Sequence, residues 1–204
     1  MVSEVRIYAE GGGDGKEGKA AMREGFGRFM ADLRERARRN RIRWQVVACG
    51  ARNAALDAFC TALRTHPDAF NVLLVDSEGA LSSSQPWQHL QARDGWTPPA
   101  CPDEHCQLMV QEMEAWIVAD PDAIEAFYGH GFRRDVLPAA SDIETVDRTT
   151  LANALRRATE GTTPGRYHKL RHAPRILGKL DPGRVRARAR HCDRLFRTLE
   201  GKLT

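Results

Sequence analysis

Six consecutive residues, Asn71-Val72-Leu73-Leu74-Val75-Asp76, constrain the fold more than any other stretch. A strand that is apolar on both faces must be covered on both, as strands inside a parallel sheet flanked by helices are. Two other β-type runs precede it: Val5-Arg6-Ile7-Tyr8-Ala9, ending at Glu10, and Trp44-Gln45-Val46-Val47-Ala48-Cys49. Helical patterns separate the three. In the first, Met22, Phe26, Phe29, Met30, Leu33 and Ala37 recur every three or four residues, the spacing of one amphipathic helix. The second runs from Ala54 to Leu63 with Asn53 as its N-cap. Strands alternating with helices predict an α/β fold on a parallel sheet.

Between Gly79 and Pro102 the sequence turns to Ser, Gln, Pro and Trp, which predicts a surface excursion with at most a short helix. Trp87 and Trp96 are its exposed candidates for stacking bases. Gln107-Leu108-Met109-Val110 reads as a fourth strand leading into a helix through Met113, Trp116 and Ile117. Beyond Pro138 the pattern is helical, over 151–158, 173–180, 185–189 and 192–203. The expected organisation is an α/β domain over 1–120 and a helical, basic extension over 121–204 packed on it.

Composition narrows the function classes. A chain of 204 residues can bury a substantial core. A mean hydropathy of -0.51 and the lack of a long apolar run argue against a membrane span. The N-terminal residues do not read as a secretory signal, and five scattered cysteines predict free thiols in the cytoplasm. The net charge of +4 hides an asymmetry: residues 156–204 carry +10, leaving -6 on residues 1–155. Such a basic segment suits either a polyanionic partner or a solvated arginine-rich face.

In parallel α/β sheets the functional crevice lies beyond the C-terminal strand ends. Here those ends carry Glu10, Asp76 and Glu78. Converging carboxylates raise one another's pKa unless a cation sits among them, and a hard divalent ion prefers such oxygen ligands. In an extended segment Asp76 and Glu78, two apart, would point to the same side. The glycine-rich run after Glu10 lacks both anchors of a P-loop. Gly13-Asp14-Gly15-Lys16-Glu17-Gly18 fits G-x-G-x-x-G, but Cys49-Gly50-Ala51-Arg52 brings no acid for a ribose. The glycines more simply let the backbone turn after Glu10 and open a helix whose N-terminus can receive an anion. Asp14, Lys16 and Lys19 then stand at the rim. Zinc held by Cys101, His105 and Cys106, with His191 or Cys192 as a further ligand, is a weaker alternative, because no Cys-x2-Cys pair is present.

A strand ending in Glu10-Gly11 and a later one ending in Asp76-Ser77-Glu78-Gly79 resemble the Toprim domain of topoisomerases, primases and overcoming-lysogenization-defect (OLD) nucleases. A closer resemblance is to a Toprim-like bacterial family of unknown function, kin to the RloB proteins. It is carried by Glu10-Gly11-Gly12-Gly13-Asp14, Leu74-Val75-Asp76-Ser77-Glu78, Met113-Glu114-Ala115-Trp116-Ile117-Val118-Ala119-Asp120, Tyr167-His168-Lys169 and His191-Cys192-Asp193-Arg194-Leu195-Phe196. The fold it implies is a Toprim-like, mostly parallel four-stranded sheet flanked by helices.

By that resemblance Glu10, Asp76 and Glu78 are metal and catalytic residues for Mg2+ or Mn2+, and Lys169 is catalytic. Glu78 stands where the second Asp is more usual. Asp14 and Glu114 are further crevice candidates, with Glu114 equally readable as a capping or ion-paired residue. Lys16, Arg171, Arg175 and Arg186 are candidates for nucleic-acid contact. The implied reaction is metal-dependent phosphodiester hydrolysis in anti-phage defence, and a homo-oligomer is compatible with the charge asymmetry. The alternative is a non-catalytic or latent partner of an ATPase encoded nearby.

Overall fold

The computed structural model describes residues 2–204. Its centre is a four-stranded, all-parallel sheet formed by β1 (Glu4–Glu10), β2 (Arg43–Gly50), β3 (Phe70–Asp76) and β4 (Cys106–Met109), in the order β2-β1-β3-β4. Ten α-helices among the described residues flank it, an α/β fold consistent with the Toprim-like arrangement expected. β3 is buried along its whole length, as its two-faced apolar pattern requires.

Alternation along the strands splits the interior in two. Val5, Ile7, Val72 and Leu74 face one core, shared with α1 (Lys16–Phe29), α2 (Ala31–Arg39) and the C-terminal helices. Tyr8, Leu73 and Val75 face the other, covered by α3 (Arg52–Thr65) and α4 (Pro86–Asp94). The first core also takes in Trp116 of α5 (Met113–Ala119) and residues of α6 (Pro121–Tyr128), α7 (Arg148–Thr159), α8 (Lys169–Leu177), α9 (Pro182–Arg188) and α10 (Arg190–Lys202).

Several local expectations need correction. The stripe from Met22 to Ala37 belongs to two helices broken at Met30, whose N–H still reaches the Phe26 carbonyl. α3 begins at Arg52 with Ala51 as its N-cap, and the Asn53 side chain instead accepts a hydrogen bond from Trp96 Nε1 at 3.2 Å. α8 begins four residues before the expected Ala173, with Pro174 inside it. Trp87 and Trp96 are both buried, so the 79–102 excursion packs back on the sheet and offers no exposed stacking surface. No helix among the described residues is long and apolar enough to cross a membrane, and all five cysteines are free.

Candidate functional site

The helices following β1 and those following β3 lie on opposite faces of the sheet, so the two adjacent strands part at their C-terminal ends. Such a divergence opens a crevice between neighbouring strands. Glu10 ends β1, Asp76 ends β3 and Glu78 follows two residues on. Carboxylate oxygens from the three lie within 4.8 Å of one another. A cavity of about 340 Å³ opens there, lined also by Gly11, Asp14 and Lys169.

The glycine run shapes one wall. Gly11 exchanges backbone hydrogen bonds of 2.9 and 3.1 Å with Gly50 at the end of β2, holding the turn against the sheet. Gly12 adopts φ +88° and meets Gly18 so closely that a Cβ on Gly18 would sit 2.0 Å from the Gly12 carbonyl oxygen. Only glycine fits that approach of loop to helix.

Each carboxylate is held differently. Glu10 Oε2 accepts hydrogen bonds from the Asp76 N–H at 3.1 Å and from Arg52 Nη1 at 3.3 Å. Burial pushes the Glu10 carboxyl above its usual range, and the opposing pull of Arg52 does not cancel that. Asp76 Oδ1 accepts from the Met113 N–H at 2.9 Å, where α5 starts. Burial raises the Asp76 carboxyl well above the ordinary value despite Lys169, and Glu10 adds to the rise.

Glu78 reaches the trio by a route the sequence reading did not foresee. Asp76-Ser77-Glu78 is not extended: Glu78 is left-handed, with φ +62°, and its N–H donates to the Gln111 carbonyl at 2.8 Å. Its carboxylate pairs with Arg148, and Arg52 and Arg93 approach at 3.7 and 3.8 Å.

Lys169, the first residue of α8, crosses to this site from the C-terminal half. Its Nζ lies 3.0 Å from Glu114 Oε2, 3.2 Å from Glu112 Oε2 and 3.6 Å from Asp76 Oδ2. Partial burial works against its charge, but the three carboxylates outweigh that and raise its pKa. Glu114 Oε1 also accepts a 2.9 Å hydrogen bond from Tyr167 Oη, so Glu114 is joined to the crevice network through Lys169 and Tyr167.

The donor set suits a hard divalent cation. Mg2+ binds oxygens at about 2.0–2.1 Å, so opposite ligands stand about 4.2 Å apart, close to the spread of the trio. The ion-pair network joins the carboxylates of Glu10, Asp76, Glu78, Asp94, Glu112 and Glu114 to the cations of Arg52, Arg93, Arg148 and Lys169. With all six carboxylates ionised, two negative charges are left over, which one divalent cation would balance. Cys101, His105 and Cys106 form no comparable group among the described residues.

A family model described as a domain of unknown function (DUF4276) matches residues 9–200. The chain belongs to the DUF4276 family. No curated protein and no solved structure matches it.

In this DUF4276 chain the remaining predicted residues are dispersed. Asp14 lines the crevice, and Lys16 is exposed at the start of α1. Arg171 and Arg175 are exposed on α8, with Lys179 just past its end. Arg186 lies elsewhere, bound to Asp193 at 2.7 Å and Glu200 at 2.7 Å. Much of the C-terminal charge is engaged in the same way: Arg184 pairs with Asp122, Lys202 with Glu104, and Arg188 and Arg194 donate to backbone carbonyls.

Sequence reasoning missed Arg52, Glu112 and Arg148. Arg52 stands just beyond the end of β2, where the strand-end rule that marked Glu10 would have found it. Glu112 is the N-cap residue of α5, an acid before an apolar run. Nothing local marks Arg148.

Proposed function

We propose that this protein is a Toprim-like, Mg2+- or Mn2+-dependent phosphodiesterase acting on nucleic acid, a relative of the RloB and OLD nucleases working in anti-phage defence. One observation carries the reading: Glu10, Asp76 and Glu78 converge at the point where β1 and β3 diverge, with Lys169 at the lip. A divalent ion bound there supplies Lewis acidity toward a phosphoryl oxygen and a more acidic water.

The chain's own residues divide the rest of the work. Asp76 and Glu78 hold the ion, while Glu10, whose carboxyl lies above the usual range, is placed to accept a proton. Lys169 sets an ammonium beside the phosphate, where negative charge develops. Lys16, Arg171 and Arg175, exposed on α1 and α8, supply phosphate contacts that do not select a sequence.

The test is calorimetric titration of Mg2+ and Mn2+ into the wild type and Asp76→Ala, followed by incubation with labelled DNA and RNA. Ion binding and cleavage that both disappear in the variant support the reading. Full cleavage by both Glu10→Ala and Asp76→Ala sinks it. A wild type that binds no ion would favour a docking module for an ATPase.

A further inference from the structure

Lys169 does more than line the crevice. The carboxylates of Asp76, Glu112 and Glu114 surround its ammonium at 3.6, 3.2 and 3.0 Å, making a second cation position beside the first. Asp76 belongs to both positions, since it is also a member of the trio with Glu10 and Glu78. Glu112 and Glu114 are nearly fully buried, and Glu114 Oε2 has no well-angled hydrogen-bond donor, so the lysine charge is what balances it. Buried carboxylates in that condition demand a cation.

Centres that transfer phosphoryl groups with two metals hold the ions about 3.5–4 Å apart. Here one of two adjoining positions is filled by a tethered ammonium. We infer that Lys169 is the built-in occupant of the second cation position, so that this centre takes one divalent ion and not two. The inference rests on the reading of Glu10, Asp76 and Glu78 as an ion site.

The physical argument is charge exclusion. An ammonium already within 3.6 Å of all three carboxylates repels a divalent ion and occupies its space. Replacing it with an uncharged side chain of similar length leaves Asp76, Glu112 and Glu114 facing one another, with Arg148 on Glu112 as the one cation paired to them among the described residues and with Met113 N–H and Tyr167 Oη still donating to Asp76 and Glu114. The three carboxylates are spaced for an ammonium and lie less close to one another than Glu10, Asp76 and Glu78 do, so a second divalent ion entering there would draw them inward.

The experiment counts Mn2+ bound per chain, by calorimetry and by electron paramagnetic resonance of the free ion. It uses the full-length wild type, Lys169→Met and Lys169→Arg, with circular dichroism confirming each fold. The expected counts are one for the wild type, two for Lys169→Met and one for Lys169→Arg. Two ions on the wild type or on Lys169→Arg, or only one on Lys169→Met, would overturn the inference while leaving the proposed ion site standing. No ion on the wild type would overturn both, whatever the variants bind. Should Lys169→Met fail to fold, Lys169→Gln takes its place with the same expected count of two, and one ion on a folded Lys169→Gln overturns the inference.

Discussion

Arg52 Nη1 donates to Glu10 Oε2 across 3.3 Å, joining the residue that opens α3 to the residue that ends β1. The same guanidinium reaches the Asp76 carbonyl at 2.9 Å and Asp94 at 2.7 Å, and lies 5.0 Å from the centre of the Trp96 ring. Arg52 is thus the brace between two strand ends and the 79–102 excursion.

Replacing Arg52 with Gln strands Glu10 and Asp94 in a half-buried setting without their shared cation. The expected cost is about 2 kcal/mol, below that of a fully buried pair because some solvent reaches these groups. Urea unfolding of Arg52→Gln against wild type measures it. A midpoint unchanged within error would show that Arg52 does not brace the site.

Asp76→Asn should separate binding from stability. Burial holds the Asp76 carboxyl well above its usual range, so the ionised form is a burden on the metal-free fold. An amide can still accept from the Met113 N–H, and Lys169 keeps Glu112 and Glu114. The metal-free variant should therefore unfold at or above the wild-type temperature. Added Mg2+ at about 100 times its Kd should stabilise the wild type by about 2.7 kcal/mol and leave Asp76→Asn unmoved. Thermal melts with and without the ion check both halves.

Ion binding should release protons. The Glu10 and Asp76 carboxyls are both raised, so in the metal-free fold they keep protons above the ordinary carboxylate range. A bound cation requires the ionised form, so affinity should rise with pH through that window. The same sign governs stability. A folded state that binds more protons than the unfolded chain loses stability as pH rises from the ordinary carboxylate pKa to the raised ones. Titrations in buffers of different ionisation enthalpy report the released protons directly; none released just above the ordinary range would contradict the raised carboxyls.

Two glycines of α1 should respond oppositely to alanine. Gly18→Ala drives a Cβ to 2.0 Å from the Gly12 carbonyl oxygen, which should cost about 2 kcal/mol and weaken ion binding by shifting the loop after Glu10. Gly27→Ala meets nothing nearer than the end of Arg34, 3.8 Å away, and should gain about 0.5–1 kcal/mol from helix propensity. Thermal melts and Mn2+ titrations of the pair test this. Equal effects would mean that the Gly12–Gly18 approach is not what sets the loop.

The strands were legible because burial writes itself into local composition. β3 is apolar on both faces, and the acids that end β1 and β3 stand where a parallel sheet opens its crevice. The tryptophans were misread for an equally local reason. Ser, Gln and Pro around Trp87 and Trp96 signal a surface segment, yet both rings are buried, and only the folded chain shows Trp96 lying under Arg52. Charge was the least legible property. Arg184, Arg186 and Lys202 add to a basic stretch in sequence but meet acids in space.

By itself the sequence determined the parallel α/β architecture and the carboxylates at its strand ends, because periodicity and strand-end position are properties of neighbouring residues. Tertiary structure alone decided which cations answer those carboxylates. Lys169 reaches Glu112 from 57 positions away, on a helix that packs against α1 where Gly25 lets the Pro174 carbonyl come within 2.4 Å of the place a Cβ would take. Arg148 comes to Glu78 from 70 positions away. Coulomb attraction acts through space, so pairings of this kind leave no periodic trace along the chain.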